Sequence, residues 1–207
     1  MEQVFNFAFQ ILILIFSIVI HEVSHGFAAL YLGDPTAKYE GRLTLNPLKH
    51  VDLFGSIILP IMAFLTAGFI FGWAKPVPYN PYNLKNQKWG PAFVGAAGPV
   101  SNILVALFFG MLIRFSAAIP FLPAAFFQVA IFIAFLNLVL AVFNLVPIPP
   151  LDGSKVLFAL LPPGAYEFKM FLERYGFFLL LIFIFFLSNI TLPIVSVLFR
   201  LITGVNF

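Results

Sequence analysis

At 207 residues, with 62% hydrophobic and only 9% charged side chains, the chain falls far below the roughly 25% charge of a soluble domain. A mean hydropathy of +1.05 and 29 phenylalanines describe an integral membrane protein of one compact domain, with lipid as its surroundings. The absence of cysteine excludes disulfides and thiolate metal ligands, and a net charge of +3 is too small and dispersed for nucleic acid.

In chain order, an apolar run over 4–32 predicts the first spanning helix. It lacks a basic n-region and a small-residue cleavage site, so it is expected to be retained rather than removed as a signal peptide. Gly33-Asp34-Pro35 stops it. The region 36–80 is mixed. Tyr39, Leu43 and Leu45 fall at even spacings with Arg42 and Thr44 between them, which predicts a short alternating strand within 38–45. Residues 53–71 are apolar again but contain Gly55, Pro60 and Gly68, and the proline-rich stretch that follows to Pro81 reads as extended. Helices are expected over 93–119 and 124–146. A proline-rich break and short helix fill 147–161, and two apolar segments, 165–188 and 191–203, end the chain. The expected fold is an all-α polytopic membrane protein, a helical bundle of about five to six membrane segments with a short re-entrant β-hairpin or loop element.

The chemistry concentrates in His21-Glu22-Val23-Ser24-His25, inside the first apolar run. Histidines at i and i+4 project from one helix face, so two imidazoles can meet one metal ion. The glutamate between them falls beside the water position of such a site rather than on the metal. Ionisable groups at the bilayer centre cost roughly 2.5–3.5 kcal/mol each when charged and unpaired, and a divalent metal is one compensation. Counted from Val4 at ~1.5 Å per residue, His21 lies about 25 Å along the helix, inside the membrane but near its exit side. The pattern predicts one Zn²⁺ per chain, held by His21 and His25.

A catalytic zinc takes three protein ligands and one open position. Glu2, Asp34, Glu40, Asp52, Glu167 and Glu173 lie in polar or terminal stretches. Asp152 follows a spanning helix within a proline-rich break, beside Gly153. It is the favoured third ligand, although the same placement suits an N-cap for a helix beginning at Ser154.

Taken together, His21-Glu22-Val23-Ser24-His25-Gly26 and Asn144-Leu145-Val146-Pro147-Ile148-Pro149-Pro150-Leu151-Asp152-Gly153 resemble the paired HExxH and NxxPxxxLDG motifs of the site-2 protease family. Gly98-Pro99-Val100-Ser101-Asn102 is similar to that family's G-P-x-x-N segment. The three occur in the family's order, and the chain resembles its small members, which lack PDZ and CBS domains. The resemblance implies an intramembrane zinc metallopeptidase acting on transmembrane-protein substrates. Its site would lie toward the cytosolic side of a prokaryotic cell membrane. Glu22 would be the base, and Asn102 and Asn144 would hold the substrate backbone or polarise its carbonyl. The plainer reading of both asparagines is helix–helix hydrogen bonding.

Parity bears on this arrangement. If 53–71 crosses the membrane, His21 and Asp152 approach from opposite faces. If 53–78 enters and returns, nine of the 11 basic residues share one side: Lys38, Arg42, Lys49, Lys75, Lys85, Lys88, Lys155, Lys169 and Arg174. The positive-inside rule prefers the second arrangement, a re-entrant element at 53–78. A strand at 38–45 would then be available to pair with an unwound substrate. The lack of a soluble regulatory domain points to a separate partner or prior trimming of the substrate.

Other classes fit less well. A zinc or proton transporter has no special need of Glu22 and usually carries repeated halves. A prenyl-protein-processing peptidase would take its third ligand from a downstream glutamate, and Glu167 and Glu173 lie in a mixed surface stretch. His50, a loop histidine, is assigned no ligand role.

Overall fold

A computed structural model describes residues 2–52, 75–119 and 121–205, together with Ile58 and Met62. The chain divides into two compact units, Met1–Lys85 and Asn86–Phe207. Most of the expected span at 53–71, and with it the re-entrant element proposed at 53–78, lies outside the described residues; within it, 75–78 has no regular secondary structure.

Among the described residues, four helical runs are long and apolar enough to cross a membrane: Ala8–Tyr31, Gly90–Arg114, Ala124–Asn144 and Pro163–Thr203. Three of them answer to the spans expected over 4–32, 93–119 and 124–146, the fourth joins the segments expected separately over 165–188 and 191–203, and the protein is an all-α multi-pass membrane protein.

In the first unit, α1 (Glu2–Tyr31) ends where glycine permits a left-handed residue. Gly33 has φ +109°, and its N–H and that of Asp34 return to the Leu30 and Ala29 carbonyls at 3.1 and 2.9 Å. This closes the helix with a paired backbone cap. The short α2 (Thr36–Tyr39) follows at once, started by Asp34 Oδ1, which accepts the Thr36 N–H at 3.2 Å. Gly41, at φ +63°, turns the chain out of it.

That arrangement corrects the strand expected within 38–45, since no strand occurs among the described residues. Local hydrogen bonding by Asp34 wins over the apolar alternation. The alternation does not define a buried face: Leu43 is half-buried but Tyr39 and Leu45 are exposed, whereas Arg42, expected between the apolar positions, is buried. The edge needed for strand addition at 38–45 is absent too.

In the second unit, α3 (Gly90–Arg114) packs against α4 (Ala124–Asn144), α5 (Asp152–Leu160) and α7 (Thr191–Thr203). Between α4 and α5 runs the proline-rich break. Between α5 and α7 stands α6 (Tyr166–Ile182), joined to α7 through a π-helical turn at Phe183–Leu187 and a 3₁₀ turn at Ser188–Ile190. Ser188-Asn189 therefore interrupts the α geometry without ending the helical run. Small residues let the helices approach: Ala106, Ala130 and Ala134 are fully buried with Leu138, Val195 and Phe199. Phe177, Phe178, Phe185 and Phe186 face outward, as a hydrocarbon surrounding favours.

Candidate metal centre and catalytic base

The last third of α1 carries the site. His21 and His25 lie one turn apart, each 7% exposed, with ring centroids 4.7 Å apart and ring planes nearly perpendicular. One potential ligand atom from each of His21, Glu22 and His25 falls within 4.8 Å of the others. Two buried imidazoles and a carboxylate converging on an apolar helix are the donor set a divalent ion needs, so these residues fit zinc.

Glu22 is half-buried, and its Oε2 accepts the Val77 N–H at 2.8 Å. One carboxylate oxygen is thus engaged by main chain, which favours a role beside a metal rather than on it. The donor lies in a segment without regular secondary structure, 75–80, that meets α1 at Glu22 and Gly26. Gly26 makes that approach feasible. A Cβ there would lie 2.9 Å from Val77 Cγ1 and also press on Leu43. The glycine following the second histidine therefore has a packing reason.

Residues 75–77 are fixed on every side. The Lys75 N–H donates to the His50 carbonyl at 2.9 Å. Arg42 Nη2 donates to the carbonyls of Lys75 at 2.8 Å and Pro76 at 3.3 Å. His50 is itself buried, and its Nε2 donates to the Thr44 carbonyl at 2.9 Å.

Further along, Asp34 is fully buried and binds α1's exit to the end of the same segment. Its Oδ2 accepts the Asn80 N–H at 2.6 Å, and its Oδ1 accepts from Thr36 Oγ1 at 2.6 Å and Asn83 Nδ2 at 2.8 Å. Burial pushes the Asp34 carboxyl up. The hydrogen bonds from Thr36, Asn83 and Asn80 outweigh it and hold the group below its ordinary value.

Asp152, in the second unit, is buried. The helix begins at Asp152 itself, with Leu151 in the N-cap position, so Asp152 does not cap a helix starting at Ser154. Its Oδ1 accepts from Lys155 Nζ at 2.9 Å. Gly153 permits the tight return from α4: a Cβ there would collide with the Leu145 carbonyl oxygen. Asn102 is fully buried, and its Nδ2 donates to Asn137 Oδ1 at 2.8 Å, joining α3 to α4. Asn144 donates its Nδ2 to the Leu140 carbonyl at 2.9 Å, one turn back in α4.

Arg42, Val77 and Asn137 escaped the sequence reading. Arg42 was visible only as a polar position of the expected strand and as one of nine basic residues on one side, and Val77 contributes its main chain, which no side-chain pattern encodes. Asn137 carried a signal, an amide in the middle of an apolar span.

Residues 120–183 match the family described as Peptidase family M50. The chain is 41% identical over 182 residues to the Bacillus subtilis protein named "Putative zinc metalloprotease YwhC", covering 84% of this chain and 78% of that relative. It is 31% identical over 166 residues to the Mycolicibacterium smegmatis protein named "Putative zinc metalloprotease Rip2", covering 80% of this chain and 62% of that relative. No solved structure matches.

Proposed function

The chain belongs to peptidase family M50, and from that premise we propose that it is an intramembrane zinc metallopeptidase. Its substrates are membrane proteins cleaved within or near their transmembrane segments. The observation that carries this reading is the His21–Glu22–His25 cluster, two buried imidazoles and a half-buried carboxylate on an apolar, membrane-length helix.

His21, His25 and Asp152 would hold one Zn²⁺ per chain. Bound there, zinc would supply Lewis acidity, lowering the pKa of a water toward neutrality and polarising the scissile carbonyl. Glu22 accepts the proton of the attacking water and returns it to the leaving amine. Its Oε2 is held by Val77, which leaves Oε1 for that transfer. Asn144, at the end of α4, and Asn102 are candidate contacts for the substrate backbone. A transmembrane helix ties its carbonyls into its own hydrogen bonds, so local unwinding of the substrate precedes attack.

The setting is a prokaryotic cell membrane with the site toward the cytosol. The clustering of nine basic residues on one side, for a returning 53–78, supports that orientation. A separate partner or prior trimming of the substrate controls access.

Cleavage of a transmembrane peptide by detergent-purified protein, wild type beside Glu22→Gln, tests the reading. Zinc content should be equal in both, with cleavage lower by at least about a hundredfold in Glu22→Gln. Cleavage surviving Glu22→Gln would remove the mechanism.

A further inference from the structure

Arg42 is 4% exposed, yet among the described residues its hydrogen bonds go to two main-chain carbonyls and it makes no ion pair. Its Nε, also buried, has no partner. A buried guanidinium without a carboxylate is a costly way to fill space. Its value lies in what the two carbonyls belong to.

The peptide group between Pro76 and Val77 is trans, so its C=O and N–H point in opposite directions. Arg42 holds the C=O end at 3.3 Å, and Glu22 takes the N–H end at 2.8 Å. One rigid plane thus links the guanidinium to the carboxylate. A charged donor on the carbonyl also polarises the peptide and strengthens the N–H as a donor. Pro76 and Pro78 flank Val77 and lack N–H groups. Val77 therefore supplies the lone N–H of that tripeptide, and prolines restrict rotation on both sides of it. Lys75, tied to the His50 carbonyl and to Arg42, fixes the other end.

We propose that Arg42 is a positioning residue for Glu22, acting through the Pro76–Val77 peptide group. It presents one N–H that orients the base and leaves the second carboxylate oxygen for proton transfer. This rests on the reading of Glu22 as the base.

The test uses the full chain in detergent with Arg42→Met, Arg42→Lys and a Val77 amide-to-ester replacement, which deletes the N–H without changing the side chain. Steady-state cleavage, zinc per chain and the carboxylate infrared band of Glu22 are measured. The band is isolated in zinc-free protein as the difference from the same chain carrying Glu22→Gln. Arg42→Met and the ester should each lower kcat by about ten- to a hundredfold with KM and zinc content unchanged. Both should move the Glu22 band in the same direction. Arg42→Lys, a single compact donor, should fall between wild type and Arg42→Met.

A raised KM with unchanged kcat would overturn the proposal and give residues 75–77 to substrate binding. An unmoved band in the ester would overturn it as well, whatever the activity. Should Arg42→Met fail to fold, the ester decides alone. Loss of the reading itself would look different: cleavage would survive Glu22→Gln while the band still shifted.

Discussion

The two units keep their shape by opposite means. Around α1's exit and the segment at 75–85, the interior is polar: Asp34, Arg42 and His50 are buried, and most of their partners are main-chain groups of loops. Within α3, α4 and α7 the interior is apolar, small residues against Leu138, Val195 and Phe199, with Asn102–Asn137 as one buried polar link between α3 and α4. Loops cannot satisfy their own main chain, so a catalytic group positioned by a loop needs buried polar side chains to hold that loop. Spanning helices satisfy theirs internally, and their packing depends mainly on shape, with few polar links between them.

This contrast can be broken by experiment. The largest stability effect should come from Phe199→Ala, which opens a cavity in a packed interface and should cost about 3 kcal/mol in a reversible detergent-unfolding measurement. The His21–Glu22–His25 cluster should keep its metal in that variant. Loss of zinc would mean that the apolar bundle also shapes the site.

Asp34→Asn should cost less, about 2 kcal/mol, by exchanging an ionised acceptor for a neutral one. Its effect should depend on pH. The folded-state pKa of Asp34 is depressed, so its contribution is fully present above the ordinary carboxylate value of about 3.9 and is lost as pH falls through the folded value. The stability gap between wild type and Asp34→Asn should therefore be constant near neutrality and close below about pH 4. A gap that persists in acid would mean that the carboxylate charge contributes nothing there.

Asn137→Ala should have the smallest effect, about 1 kcal/mol, in keeping with hydrogen bonds between membrane helices. A cost beyond that of Phe199→Ala would reverse the contrast, making the second unit depend on its polar link.

The same difference governs what could be read in the sequence. Apolar length marked the spans, and Gly33 marked the end of α1 to within a residue or two. His21-Glu22-Val23-Ser24-His25 announced its own chemistry because i, i+4 spacing on a helix is geometry written in sequence. Asp152 stood out by its break and its neighbour Gly153. The 36–52 region was misread because its organising residue, Asp34, acts through side chain-to-main chain bonds that carry no periodicity. Alternation at Tyr39, Leu43 and Leu45 suggested a strand, while the buried member proved to be Arg42. Val77 was invisible for the same reason, since its contribution to the site is a peptide N–H.

Whether a residue far along the chain completes the zinc centre is read from zinc per chain in wild type, His25→Ala and Asp152→Ala, purified alike at neutral pH. About one zinc is expected in wild type and a strong reduction in both variants, since three protein ligands hold a catalytic zinc. Full zinc in Asp152→Ala beside loss in His25→Ala would contradict it and assign the third ligand elsewhere, with Glu22 the first candidate by its distance.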